Sequence, residues 1–212
     1  MNKTDNTIKI FNKYARQYQE KYMDLSLYHG GFDLFCDHIT KGNASILDIA
    51  CGPGNISSYI TTKRVNFNIL GIDLSINMVK LARVNNPTVE FKVMDCKDIA
   101  SIEDKYDGIM CGFCLPYLSK KQALQLISDV ALLLNSDGIF YLSTMMGDYS
   151  QSGFQSSSSG DKMYIHYHQE DYLLEALKQT GFKIIDLQQM DSPENATVKT
   201  SDLIIIAKYS TE

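Results

Sequence analysis

Ile46-Leu47-Asp48-Ile49-Ala50-Cys51-Gly52-Pro53-Gly54-Asn55 is the segment on which the fold turns. An apolar, strand-sized run ends in an acid and breaks into small residues. Such residues allow a tight turn and let backbone approach a ligand closely. A helix opening at Asn55 would then present free N–H groups, so a polar or anionic group is expected at the turn. Ordinary strand-to-helix turns also need glycine, and two glycines alone do not separate the two readings.

Working outward, apolar runs alternate with helical patterns every 20 to 30 residues. The strand candidates are 45–50, 68–73, 89–94, 106–112 and 138–144, each rich in Ile, Val, Leu or Phe. Strands covered on both faces need that composition. Helices are expected over 55–62, 75–85 and 119–134, the last repeating Ala123, Ile127, Val130 and Leu134 along one face. A further helix, 169–180, exits at Gly181, and strands 182–190 and 203–209 follow. The βα rhythm predicts a parallel sheet. The connection from Asn195 to Ser201 is too short for a crossover helix, so the last two strands should be antiparallel neighbours, giving the sheet a reversed edge strand. The expected fold class is α/β, a Rossmann-like, mostly parallel seven-stranded sheet with helices on both faces and an antiparallel last strand. We expect a single domain over 1–212, with a helical cap over 1–40. Residues 145–165, rich in Ser and Gly, are either a lid or a serine linker.

Two more acids sharpen the reading of the turn. Nineteen residues after Gly54, the second strand ends in Gly71-Ile72-Asp73-Leu74-Ser75, and the third ends in Val93-Met94-Asp95-Cys96. Asp48, Asp73 and Asp95 thus close three successive strands, at the sheet end where open α/β folds bind ligands. Asp73 stands where a carboxylate accepts ribose hydroxyls. Asp48 alone fits equally well as a tie within the turn.

With these residues the chain resembles the class I S-adenosylmethionine-dependent methyltransferases of small-molecule type, from Ser45 onward. Asp48, Ala50, Gly52 and Gly54 match the family's first motif, with Ala50 in place of its usual first glycine. The resemblance implies S-adenosylmethionine as cofactor and S-adenosylhomocysteine as product. It places the cofactor's amino acid end on backbone around Ala50, Cys51 and Gly52, its ribose on Asp73, and its adenine between Leu74 and Met78, with Asp95 and Cys96 at the edge. It sets Cys111 under the sulfonium and Tyr14, in the Tyr14-Ala15-Arg16-Gln17-Tyr18 run, over the cofactor. The spacing of Tyr14, Tyr18 and Tyr22 also fits a plain packing stripe.

Methyl transfer from a sulfonium needs alignment more than acid–base help. If a base is used, His166 and His168 are the candidates. Both lie in Tyr164-Ile165-His166-Tyr167-His168, where alternation puts them on one face. Surface or capping roles are the alternative for both. The expected reaction is in-line methyl transfer to a small-molecule acceptor. A NAD-dependent oxidoreductase satisfies part of the same pattern, but Ser57 stands where its third glycine would fall. A non-catalytic Rossmann-like binding module is the third alternative.

Composition narrows the partners. Twenty Lys plus Arg against 25 Asp plus Glu, with only three arginines, leave a net charge of −5 and no basic cluster, so no nucleic-acid partner is expected. No apolar run reaches the roughly 18 residues of a spanning helix, and the first ten residues lack a secretory core, so no membrane association is expected and the chain is assigned to the cytoplasm. Five cysteines, an odd number, argue for reduced thiols. Cys111 and Cys114 form a C-x-x-C pair without further zinc ligands, so no metal is expected; a redox pair is the minor alternative. Oligomeric state is left open.

Overall fold

The computed structural model describes residues 3–156, 160–191 and 201–210. Its main sheet has seven strands: β1 (Ser45–Ile49), β2 (Asn68–Asp73), β3 (Glu90–Val93), β4 (Tyr106–Gly112), β5 (Leu134–Met146), β8 (Phe182–Asp191) and β9 (Ser201–Tyr209). Their spatial order is β3-β2-β1-β4-β5-β9-β8. The first five pair in parallel, and β9 runs antiparallel to both β5 and β8. One expectation is corrected here. The reversed strand is not at the edge but sits between β5 and β8. β9 is apolar on both faces, from Leu203 to Ala207, and a central position buries both. The connection expected at 195–201 lies, but for Ser201, outside the described residues.

Side-chain alternation divides the core in two. Ile46, Met110, Ile139, Tyr141, Ile204 and Ile206 face α2 (His29–His38) and α3 (Asn55–Lys63). Leu47, Ile109, Cys111, Phe140, Leu142 and Ile205 face the other way, onto α5 (Lys120–Leu133) and α6 (Glu170–Gln179). The remaining long helices are α1 (Lys3–Tyr22) and α4 (Ile76–Asn85). β5 begins four residues earlier than its apolar run suggested, because Leu134 already pairs with Tyr106 before the register shifts at Gly108. Ser119 caps α5 in a reciprocal box with Gln122, as its sequence indicates.

Two segments roof the C-terminal ends of the strands. α1 lies along α4, where Asn12 accepts from Ser75 Oγ (2.7 Å) and Gln19 accepts from Asn85 Nδ2 (2.8 Å). The stretch expected as a lid or linker holds a hairpin, β6 (Gly153–Ser156) against β7 (Lys162–Ile165). The hairpin is clasped to α1: Tyr14 donates to Asp161 (2.6 Å), Lys13 pairs with the same carboxylate (3.0 Å), and Asn6 donates to the Lys162 carbonyl (2.7 Å).

Candidate active site

β1 and β4 run level, with Ile49 opposite Cys111, so the next residues of each strand meet at the sheet's rim. There the backbone turns sharply. Ala50 has φ 56° and Phe113 φ 53°, left-handed conformations that cost a non-glycine residue of order 1 kcal/mol. Such outliers gather where a ligand dictates backbone shape. The Phe113 N–H is held by the Ser143 carbonyl (3.1 Å) and Oγ (3.2 Å). Ala50→Gly should relieve the first strain and raise the unfolding free energy by about 0.5–1 kcal/mol in urea titration. A loss of stability would show that packing of the Ala50 methyl outweighs it.

Two cavities flank this rim. The smaller, about 120 Å³, is lined by Asp73, Leu74, Met78, Asp95, Cys96 and Leu118, and roofed by Thr7, Ile8 and Phe11 of α1. Asp73 accepts from the Gly52 N–H (3.0 Å) and the Ser75 N–H (2.7 Å). Each of those bonds uses one oxygen, leaving the carboxylate lone pairs for a ligand's hydroxyls. Burial raises its pKa, and the two N–H groups work against that rise. Asp95 caps the following turn through the Lys97 N–H (3.0 Å) and pairs with its ammonium (3.0 Å). The larger cavity, about 290 Å³, is lined by Tyr18, Tyr22, Tyr28, Phe32, Tyr141 and Asp202, among others, with Gln155, Met163 and Ile165 of the hairpin on one side. Tyr18, Ala50, Gly52, Gly112, Phe113 and Tyr117 line both cavities. The two chambers therefore adjoin at the strained rim.

Of the expected site residues, Ala50, Cys51, Gly52, Asp73, Leu74, Met78, Asp95 and Cys96 line one chamber or both. Six others do not. Tyr14 sits at the kink of α1 (φ −110°) with its hydroxyl on Asp161, and Tyr18, one turn on, faces the rim instead. Asp48 lies wholly buried beneath the turn, where Ser57 Oγ donates to it (2.6 Å), so it ties the turn to α3. Gly54 packs on α4, where an added Cβ would meet Asn86 Nδ2 at 2.4 Å; its job is helix packing. Cys111 points into the α5 side of the core, and its neighbour Gly112 reaches the rim. His166 and His168 share one face, as alternation requires, but that face is turned away: Met163 and Ile165 take the cavity side. His168 Nε2 is bound to the Leu115 carbonyl (2.8 Å) and Nδ1 to the Tyr172 hydroxyl, and burial lowers its pKa to about 4. His166 stacks on Tyr149. Neither is placed to serve as a base.

The two cysteines of the C-x-x-C pair lie together in the apolar cluster on the α5 side. Cys114 lies 3.6 Å from Cys96 beside the smaller cavity, and all five thiols are free. Among the described residues, no group of three or more His, Cys, Asp or Glu could hold a metal, and no helix is long and apolar enough to cross a membrane. Sequence reading missed the tyrosines of the larger chamber and Asp202. Tyr18 and Tyr22 carried a signal, their four-residue spacing, whereas Tyr28 and Asp202 meet only through the fold.

The strand order, with its reversed strand between β5 and β8, is that of the Rossmann-like methyltransferase fold, and an acid-lined chamber lies beyond the strand ends. A family model described as a methyltransferase domain matches residues 46–138. The chain is 41% identical over 81 residues to a putative methyltransferase, 235L, of Invertebrate iridescent virus 6, covering 38% of this chain and 30% of that protein. The chain thus spans under a third of that relative's length. It is 25% identical over 226 aligned positions to the ubiquinone/menaquinone biosynthesis C-methyltransferase UbiE of Campylobacter jejuni, covering 88% and 93% of the two chains. Among solved structures, the 1,6-didemethyltoxoflavin-N1-methyltransferase of Burkholderia thailandensis, with bound substrate and S-adenosylhomocysteine, superposes with TM-score 0.72 at 17% identity, covering 98% of this chain and 89% of that one. Residues 46–138 thus match a methyltransferase domain, and the chain as a whole shares the fold of S-adenosylmethionine-dependent methyltransferases.

Proposed function

We propose that the protein transfers a methyl group from S-adenosylmethionine to a small-molecule acceptor. The observation that carries this reading is the pair of chambers meeting at Ala50, Gly52, Gly112 and Phe113, one lined by two acids and the other by aromatic rings. The residues suit the nucleoside. Asp73 offers carboxylate lone pairs to hydroxyls, Met78 and Leu118 offer apolar walls to a base, and Asp95 with the Cys96 backbone offers polar groups at its rim. Bound there, the cofactor would supply an already activated methyl group. The chain's part is alignment: the rim holds two reactants face to face, and such positioning is worth about 7–11 kcal/mol. α1 lies over the smaller chamber, and α1 and the β6–β7 hairpin both border the larger one. We assign them the role of a lid, since Thr7 and Phe11 roof one chamber and Gln155 and Met163 wall the other.

Titration of the protein with S-adenosylhomocysteine, followed by thermal unfolding, tests the reading. At a hundredfold excess over Kd, a ligand that binds only the native state adds about 2.7 kcal/mol. For a chain of this length that is a rise of roughly 5–10 °C in Tm. A shift with NADH and none with S-adenosylhomocysteine would overturn it.

A further inference from the structure

The closed end of the larger chamber holds a buried acid that alignment of the two reactants does not require. Asp202 is 2% exposed, at the start of β9 and level with Met145 of β5. Tyr28, itself buried, donates its hydroxyl to Asp202 Oδ2 at 2.7 Å. Around this pair stand ring faces. Phe113 packs on Tyr28 with centroids 5.1 Å apart, and Phe32 on Tyr141 at 5.4 Å. All four rings and Asp202 line the chamber.

A ligand reaching that end meets the acceptors of this pair, with the Tyr141 hydroxyl beside them able to donate as well. The carboxylate only accepts hydrogen bonds, and Tyr28, whose O–H is engaged by Asp202, presents oxygen lone pairs. Ring faces add negative quadrupole potential, which attracts cations and repels anions. Among the described residues, the other charged groups facing the chamber are Lys21 and Asp24 of the N-terminal segment. Asp24 is exposed and turned onto the Ser26 N–H (2.9 Å), and Lys21 lies 5.0 Å from the Tyr22 ring. Counted over the described residues, the chamber's lining carries one cation against two carboxylates.

We propose that Asp202, oriented by Tyr28, anchors the amino group of a small aromatic or cyclic acceptor at the closed end of the larger chamber, whichever atom receives the methyl. The inference rests on the reading of that chamber as the acceptor site, and makes Asp202 a specificity-determining residue. An acceptor carrying a carboxylate or phosphate at that end would face the acid and the ring faces directly.

Calorimetric titration of the S-adenosylhomocysteine-saturated protein with 2-phenylethylamine and with 3-phenylpropanoate, nearly equal in shape and opposite in charge, tests it. The amine should bind at least about tenfold more tightly, as expected for a hydrogen bond to a charged group. Asp202→Asn should erase most of that preference while S-adenosylhomocysteine affinity stays within about twofold. Tyr28→Phe, which keeps the carboxylate, should weaken the amine by about threefold. Equal binding of the two probes, binding of neither, or an unchanged preference in Asp202→Asn would overturn the assignment of Asp202 alone. Failure of the unsubstituted protein to take up S-adenosylhomocysteine would overturn the acceptor-site reading and this inference with it.

Discussion

Asp73→Asn should weaken S-adenosylhomocysteine binding by about a hundredfold, measured by calorimetric titration, while the protein still unfolds cooperatively. The carboxylate does two jobs. One oxygen holds the Gly52 N–H at 3.0 Å and the other the Ser75 N–H at 2.7 Å, so the acid joins the β1 turn to the start of α4. Its remaining lone pairs face the smaller chamber. An asparagine can serve only one of the two N–H donors, because its amide nitrogen is itself a donor. The Gly52 or Ser75 contact must open, and the rim shifts as the ligand contact is lost. Hydrogen bonds to a charged group are worth about 1.5–3 kcal/mol each. With 1.4 kcal/mol per tenfold, losing the equivalent of two weaker ones gives about a hundredfold. Stability should fall by only about 1–2 kcal/mol, the cost of one opened buried pair. Affinity within threefold of the unsubstituted protein would remove Asp73, and with it the nucleoside assignment of the smaller chamber.

The parts of this site that were legible in the sequence are local. A strand, a small-residue turn and a helix start are neighbours in the chain, and an acid at a strand's end announces its own position. What was not legible depends on which of two equivalent faces points inward. Period-two alternation puts His166 and His168 together, yet it does not say that Met163 and Ile165 take the cavity side. The same ambiguity exchanged Cys111 for Gly112, because β4 is apolar on both faces. Along α1 the tyrosine stripe is real, but the kink at Tyr14 turns that residue to Asp161 and leaves Tyr18 at the rim. Gly54 shows how one pattern serves two causes: its φ of 80° and its contact with Asn86 are demands of helix packing. Tyr28 and Asp202, 174 residues apart, pair only because β9 inserts beside β5. The length of the last connection speaks for an antiparallel pair and is silent on that insertion.

Asp48 gives the second large effect, on stability and not on binding. Burial pushes its pKa up to about 7, against the opposing hydrogen bond from Ser57 and with a smaller push from the charge of Asp73. Its Oδ1 is buried without a partner, which is the geometry expected of a carboxyl that prefers its neutral form. In the unfolded chain the same group titrates near the ordinary value of about 3.9. The native state therefore binds this proton more tightly than the unfolded state does. Its contribution to stability is full below about pH 4 and is lost progressively as pH rises to about 7. Carboxylates held low, such as Asp107 beside Lys41, act in the opposite sense at the acid end, so the bare curve of stability against pH mixes several groups. A difference curve isolates Asp48. Asp48→Asn keeps an acceptor for Ser57 and cannot ionise, though its amide leaves a buried donor unpaired and lowers stability at every pH. Relative to the unsubstituted protein, Asp48→Asn should gain about 1.4 kcal/mol per pH unit across that window, read from urea unfolding at pH 5, 6, 7 and 8. The gain should level off above pH 7, where both states of the unsubstituted protein carry the charge. Parallel curves for the two proteins would mean that Asp48 is ionised in the native state throughout. The buried tie between the turn and α3 would then be a charged one, stabilised by Ser57 and its surroundings far more than its burial allows.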